Sequence, residues 1–496
     1  MTAGRGDSGF VTAANADVEP RGIRLGVVRG VSYGLFGKPD AFVEEARALG
    51  AGLIRVYLYW GQVEPEPGRN TWDTVDALLE QLDGDEEVWI TLCSSSPWAT
   101  RRKTDFQPQS PALDLATYRE FVARTVAHCA GRVRYWQCNN EPSNTDLLWA
   151  GTAEEYVAHL AAMYQAVKAE DPGAAVVLGG CGYDVFSSPE GSPPRQFFDH
   201  LAAAGRDHFD LFSVHLYGDV AAVPSYLDTA RRLMRRHGYL KPVVVGEHAG
   251  PVVFEYPGAA AAMQETLAAA FTEPAQNQSI DELVQRAGQD TPERRAMAAL
   301  YARMSQLPPQ LQMFMAGCPA ELEAKRHRIN ARQVVMRTLL ALAGGVRRTA
   351  YWDLGPEVPD WTDPGQMMHV MFGKLPLLDY RNGELSHRHP AAEAFGLLAR
   401  QLAGAQRVTR VEVDDPPNLY AFEVDRADRP PLLVLWDHRD PFDGEAGPAV
   451  PVTWPWPAPT ATAVDAFGHD VAARVADGVL HLPVSLTPVY VTEGAG

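Results

Sequence analysis

The sequence predicts an α/β fold: a closed (β/α)8 barrel of the TIM type with a C-terminal antiparallel β-sandwich. Three observations predict it. From about Arg24 to Ala403 a short apolar run, a loop and an amphipathic helix recur eight times. The apolar runs are rich in Val, Ile, Leu and aromatics and rarely alternate with polar residues, as parallel strands covered on both faces do. After about Gly404 the texture changes to short strand-like runs between Pro, Gly and Asp clusters. With 496 residues there is room for a barrel of roughly 250 residues or more and a smaller second unit. The division read from these shifts is a polar segment 1–23, a barrel 24–404 carrying an insertion at about 251–330, and a sandwich 405–496.

The candidate strands are Arg24–Gly34, Gly52–Trp60, Glu87–Cys93, Val133–Asn139, Ala174–Gly180, Phe209–Tyr217, Lys241–Gly246 and Arg347–Leu354. Helices fill the gaps. Ala41–Leu49 stops at Gly50, a residue type that tolerates the left-handed conformation closing many helices. Thr71–Leu82 stops before Gly84 and Leu115–Ala130 before Gly131. Thr152-Ala153-Glu154-Glu155 has the spacing of a capping box and opens a helix reaching about Glu170. Gln196–Ala204, Ser225–His237, Ala331–Ala343 and Ala391–Leu402 complete the set. Eight alternations imply a closed barrel, because each crossover returns to a parallel neighbour. An open doubly wound sheet is the competitor, but it usually has fewer strands and often a glycine-rich phosphate loop, and no G-x-G-x-x-G follows Val31.

Residues 251–330 interrupt the rhythm after the seventh strand, with helical patterns of their own over Met263–Phe271 and Pro292–Met304. A segment leaving the end of a barrel strand emerges on the catalytic face. It therefore walls the site or serves packing and assembly; the sequence weighs both equally. Beyond Gly404 the strands are Val408–Val413, Leu419–Val424, Leu432–Trp436, Ala461–Ala466, Val479–Val484 and Val489–Thr492, with a Pro-rich turn at Trp454–Pro459.

The formal net charge of −18 would repel nucleic acid and anionic membrane, so neither is an expected partner. Five cysteines without a C-x-x-C pair suggest neither a disulfide framework nor a zinc site. The first residues lack the apolar core of a signal peptide, and no stretch approaches the ~18 apolar residues of a membrane span; the expected location is cytoplasmic. Arg5-Gly6-Asp7-Ser8 and Gly6-Asp7-Ser8-Gly9 match short ligand and protease motifs, but they sit in a polar terminus without strand–turn context and are read as chance.

Chemistry in such barrels lies at the C-terminal ends of the strands. Those ends read Arg55-Val-Tyr57-Leu-Tyr59-Trp60, Ser96-Pro97-Trp98, Asn139-Asn140-Glu141-Pro142, His215-Leu-Tyr217, Gly246-Glu247-His248 and Tyr351-Trp352-Asp353. Glu141 and Glu247 each end an apolar run at the rim, where an unpaired carboxylate is costly without a purpose. The fourth and seventh strands lie nearly opposite each other in an eight-stranded ring, so the two carboxylates can flank one substrate. Two carboxylates are what glycoside hydrolysis needs, one to protonate the leaving group and one to attack or to activate water.

Asn140-Glu141-Pro142 ending the fourth strand, together with Glu247 ending the seventh, resembles clan A of the retaining glycoside hydrolases. Arg55, His215-x-Tyr217 and Trp352 fall where that clan has them, and Trp60-Gly-Gln-Val-Glu64-Pro-Glu-Pro-Gly68 before Trp72-Asp73 resembles families 39, 42 and 5. The sandwich ending Pro488-Val-Tyr490 is similar to the one many such enzymes carry; the 251–330 stretch matches nothing in them. The resemblance implies a glycosidase acting on O-glycosidic, β-linked bonds by double displacement, with Glu247 as nucleophile and Glu141 as general acid/base. It implies that Arg55 and Tyr217 hold Glu247 ionised, that Asn140 binds the sugar 2-hydroxyl and that His215 orients Glu141 or binds a hydroxyl. Trp352, Trp60 and Trp98 would offer aromatic faces to the sugar. Neither metal nor cofactor is implied.

Each assignment has a plainer alternative. Arg55 could pair with an acid inside the barrel, His215 could be a core histidine, and Trp60 and Trp98 read equally as packing. Glu64 reads as a loop brace. His248 departs from the Phe or Thr of many relatives and is expected to alter the pocket. A transglycosylase using the same glutamates, a barrel that binds carbohydrate without cleaving it, and a sandwich acting as a separate glycan-binding module are the rival functions. Without a secretion signal, small glycosides, oligosaccharides or an intracellular glycoconjugate are the expected substrates. Sugar identity, exo or endo action and oligomeric state are not legible.

Overall fold

The computed structural model describes residues 20–145, 147–270, 279–286, 288–355, 363–381, 384–414 and 416–494. The Arg5–Gly9 motif matches lie outside them. Eight parallel strands form the barrel: β1 (Arg24–Val28), β2 (Leu53–Tyr59), β3 (Glu87–Cys93), β4 (Tyr135–Cys138), β5 (Ala175–Val177), β6 (Phe212–Leu216), β7 (Val243–His248) and β8 (Arg348–Tyr351). Seven seams are hydrogen-bonded ladders, the two that involve β7 interrupted by a register shift. The eighth, between β5 and β6, closes through two isolated parallel bridges, Val177 to Leu211 and Cys181 to Val214.

The helix signals act as read. Gly50, Gly84 and Gly131 all take positive φ after their helices. Thr152 accepts from the Glu155 amide while the Glu155 carboxylate accepts from the Thr152 amide, opening Ala153–Glu170. One boundary is corrected. The helix expected from Ala331 begins at Ala320 and runs to Ala343, so the last part of the 251–330 stretch belongs to the barrel's helical ring. A hairpin of β9 (Leu378–Arg381) and β10 (Glu384–Arg388), not anticipated, precedes the final barrel helix Pro390–Gln401.

The barrel interior is stacked in layers. At its N-terminal end Arg348 Nη2 donates to Glu87 (2.8 Å) and the Tyr135 hydroxyl donates to the same carboxylate (3.0 Å). Above them Leu53, Trp89, Tyr135, Ala175, Val177, Leu211 and Val244 form an apolar plug. Bulky side chains fill such a barrel solidly, leaving polar groups room only at the top.

The C-terminal part holds two antiparallel sheets. One has the order β11 (Ala405–Val411), β12 (Leu419–Arg426), β13 (Leu432–Asp437), β18 (Val489–Glu493), β15 (Ala461–Asp465); the other has β14 (Val450–Pro455), β17 (Val479–Val484), β16 (Arg474–Ala476). Strand alternation sorts the residues of the larger sheet. Leu419, Ala421, Leu433, Leu435, Val489 and Val491 face the smaller sheet, whereas Phe422, Val424, Leu432, Val434, Trp436 and Tyr490 join the barrel's core. The sandwich is thus welded to the barrel on one face. β14 went unread because Pro451 and Pro455 break its pattern; it lies at a sheet edge, where a missing donor is tolerated.

The segment after β7 builds its own apolar cluster from Tyr256, Met263, Met297, Leu300, Leu311 and Phe314, joined by Met367 of the loop after β8 and by Phe442. Its Ile280–Arg286 helix reaches the loop after β3, where the Ile280 amide donates to Asp105 (3.0 Å). Its Pro292–Ala302 helix is tied to the β8 loop by Glu293, which accepts from the Met367 amide (2.8 Å), and by an Arg294–Asp363 ion pair. Among the described residues no helix is long and apolar enough to cross a membrane.

Candidate active site

The site is assembled on four strand ends. β2 points Arg55 and Tyr57, two residues apart, at the barrel axis. At the end of β4 the chain turns sharply: Asn139 and Glu141 both have positive φ, 52° and 37°. Such conformations cost non-glycine residues free energy and are held only where surroundings impose them. Here Asn139 Oδ1 accepts from the Ser94 amide (2.7 Å) and hydroxyl (3.1 Å), and its carbonyl accepts from Gln137 Nε2 (2.8 Å). The turn swings Glu141 over the barrel mouth.

β7 reaches the same point through a bulge. Val245 pairs with Val214, but His215 pairs with Glu247, so Gly246 is an extra residue. An inserted residue bends its strand and re-aims the next side chain. Glycine is required there, because a β-carbon on Gly246 would lie 2.6 Å from Ser213 Oγ and 3.0 Å from His215 Nε2. Gly180 clears the other side of the same ring, at 2.1 Å from Nε2.

Glu247 is buried, and each of its oxygens is occupied. Oε1 accepts from Arg55 Nη1 (2.9 Å) and the Tyr57 hydroxyl (2.7 Å); Oε2 accepts from the Tyr217 hydroxyl (2.8 Å) and lies 3.3 Å from His215 Nδ1. Burial pushes this carboxyl up, but His215, Arg55 and the two tyrosines outweigh it and hold Glu247 below the ordinary carboxylate range. Burial and the Glu247 charge push both Tyr57 and Tyr217 well up, so both stay protonated donors, although Arg55 opposes this at Tyr57.

Glu141 faces it. Its Oε1 lies 2.6 Å from His215 Nδ1 and its Oε2 accepts from Asn144 Nδ2 (2.9 Å). One carboxylate oxygen of Glu141, one ring nitrogen of His215 and one carboxylate oxygen of Glu247 lie within 4.8 Å of one another. Asn140 Oδ1 accepts from Arg55 Nη2 (2.9 Å) and Gln137 Nε2 (3.2 Å), which fixes the amide's orientation and leaves its NH2 as the group for a ligand. The arrangement pairs a stabilised anion with a second carboxyl in contact with donors. It suits attack by the first and proton transfer by the second.

The aromatic residues divide. Trp352 packs edge-on to Tyr57 (6.1 Å) beside Glu247. Trp98 is half-buried, its Nε1 donating to the Glu64 carbonyl (2.8 Å). Trp60 is wholly buried, stacked on Phe121 at 4.9 Å and crossed by Trp98 and Tyr118. It has no free face, so as a sugar platform it is corrected to core packing. Glu64 is the expected brace, accepting from Trp60 Nε1, the Gly68 amide and Arg124. His248 is corrected too: it is buried edge-on against Tyr351 rather than facing a pocket, and burial with the Arg337 charge pushes it down to about 3.

Two residues near the site were missed. Tyr57 was visible in the strand-two motif but carried no chemistry in the sequence. Asp184 approaches Glu141 from the Tyr183–Ser187 helix after β5, and no motif marked it.

No protein-family model and no curated protein matches the sequence. Solved structures do. A family 39 glycoside hydrolase from the gut symbiont Bacteroides cellulosilyticus WH2 is 15% identical, with a TM-score of 0.59 over 96% of this chain and 82% of that one. A glucosidase from Croceicoccus marinus is 13% identical, with a TM-score of 0.56 over 96% of both chains. A GH39 β-xylosidase from Caulobacter crescentus is 14% identical, again with a TM-score of 0.56 over 96% of both. At such identities the likeness establishes that this chain shares the barrel-plus-sandwich fold of these glycoside hydrolase structures.

Proposed function

We propose that the chain is a retaining glycoside hydrolase cleaving β-linked O-glycosides, with Glu247 as nucleophile and Glu141 as general acid/base. The observation that carries the reading is that one carboxylate oxygen of Glu141 and one of Glu247 lie within 4.8 Å of each other, with a ring nitrogen of His215 in the same group. Retaining enzymes hold their pair about 5–5.5 Å apart, whereas inverting ones leave about 6.5–9.5 Å for a water. The β-linkage is taken from the β-xylosidase among the fold relatives.

In the first step Glu247 Oε attacks the anomeric carbon while Glu141 gives its proton to the departing oxygen. The Glu247 charge is consumed in the ester, so Glu141, now an anion beside a neutral group, can take a proton from water. That water then attacks the anomeric carbon and Glu247 leaves. The Asn140 NH2 is placed to meet the 2-hydroxyl, a contact that strengthens as the sugar gains oxocarbenium character. Tyr57 and Tyr217 release their hydrogen bonds to the anion as its charge is spent and hold it again when it returns.

The test is a panel of aryl glycosides with wild type and Glu247→Ala. We expect the variant to be inactive and azide to restore turnover, giving a glycosyl azide of inverted configuration. Full activity in Glu247→Ala would remove the covalent mechanism.

A further inference from the structure

We propose that Asp184 is a positioning residue for the acid/base, a second buried carboxyl set beside Glu141 whose charge keeps the acid's proton in place in the free enzyme. This rests on reading Glu141 as the acid/base. The geometry is set by Gly182, which precedes the Tyr183–Ser187 helix. A β-carbon on Gly182 would lie 2.8 Å from Asp184 Oδ1 and 2.9 Å from Glu141 Oε1, so the two carboxyls converge within reach of one methyl group.

Their surroundings differ in kind. Glu141 Oε1 lies against His215 Nδ1 and its Oε2 accepts from Asn144 Nδ2. Both oxygens of Asp184 are closed to solvent and neither makes a hydrogen bond of normal geometry. Burial and the Glu141 charge push Asp184 up to about 6; the Ser143 hydroxyl and the amides of Val185 and Asp184 itself oppose this only in part. The other titratable groups facing the pair are the Cys181 thiol from the β5 end, His215 and Tyr217 from β6 and Glu247 from β7. The charge acting on Asp184 is that of Glu141; Arg195 donates to the Phe186 and Ser188 carbonyls and acts on Cys181.

Two carboxylates in one site cannot both ionise freely: once Asp184 carries its charge, repulsion favours a proton on its neighbour. That proton is what the leaving oxygen needs. Asp184 never touches the substrate; it acts through Glu141.

The experiment compares pH profiles of kcat/KM for wild type, Asp184→Asn and the smaller Asp184→Ser on an alkyl glycoside, whose departure requires an acid, with Glu141→Ala as reference. The alkaline limb should move to lower pH by about one unit when the Asp184 charge is removed. Folded variants whose limb coincides with wild type would overturn the pairing while leaving Glu141 as the acid. Activity of Glu141→Ala on the alkyl glycoside would overturn the acid/base reading itself. If neither Asp184 variant folds, thermal melts of wild type and Glu141→Gln give the reciprocal reading. A carboxyl raised in the folded state makes stability fall as pH rises toward 6, and Glu141→Gln should flatten that fall. Parallel slopes would count against the pair.

Discussion

Arg55 spends every nitrogen on a different part of the site. Nε donates to Thr91 Oγ1 (3.1 Å), Nη1 to Glu247 and to the Gly246 carbonyl (2.7 Å), Nη2 to Tyr57 and Asn140. Removing one partner of a buried ion pair costs about 3–5 kcal/mol, because the other charge is stranded. Arg55→Met should therefore lower thermal stability markedly. It should also raise the proton affinity of Glu247, so the acid limb of kcat/KM moves to higher pH; an unmoved limb would count against Arg55 as the counter-ion. Asp353 supplies a second stability test. Burial pushes its carboxyl up from 3.8 to about 7, against the pull of Arg29 and with the help of Glu247, and its Oδ1 has no partner. A raised carboxyl makes stability fall as pH rises from about 4 to about 7. Asp353→Asn should melt higher than wild type at pH 8 and gain nothing at pH 4. At this scale the sequence singled out the two glutamates, Arg55, Asn140, His215 and Tyr217, whose side chains the fold brings together. It hid Tyr57, because a strand buried on both faces carries no alternation to say which residues point inward, and it hid Asp184, because a short helix after β5 bears no pattern.

Strand ends act on the site through glycines. Gly180→Ala would drive the His215 ring off both carboxylates, since the new methyl would overlap Nε2. Activity should fall by at least about a hundredfold, the scale on which small misplacements of catalytic groups act. The circular dichroism spectrum should be unchanged. An active Gly180→Ala would mean that His215 does not organise the pair. Whole elements were easiest to read where local chemistry is decisive: Glu87–Cys93 has the bounds expected of it, and the Thr152 capping box starts its helix on the expected residue. The Ala320–Ala343 helix was read short because its first half looks like surface. Arg326 in that half is in fact buried, its Nη1 donating to the Lys374 carbonyl, and Arg332 and Arg337 in the half that was read are buried against Glu445 and Glu255. A sequence shows a run of charge; only tertiary partners show that it is interior.

For the molecule as a whole, the sandwich is as much a part of the barrel's cover as its own helices are. Trp436 and Tyr490 are among the core residues it shares with the barrel, and Glu445 bridges Arg328 (2.7 Å) and Arg332 (2.9 Å) on the Ala320–Ala343 helix. A chain ending at residue 404 should expose that apolar face and aggregate, and the intact protein should melt in one calorimetric transition. Two well-separated transitions would show the units to be energetically independent. The change of texture at Gly404 announced a second unit, but composition alone could not tell a tethered module from a welded one.

The contact between Ile280 and Asp105 carries a consequence for local opening. The two residues belong to excursions from β7 and β3, four staves apart on an eight-stave ring, so their contact spans the mouth of the cylinder. Their handclasp, a single amide hydrogen bond, should be among the earliest contacts to let go. The Ile280 amide ought to trade its hydrogen for deuterium well before those of β2 and β3.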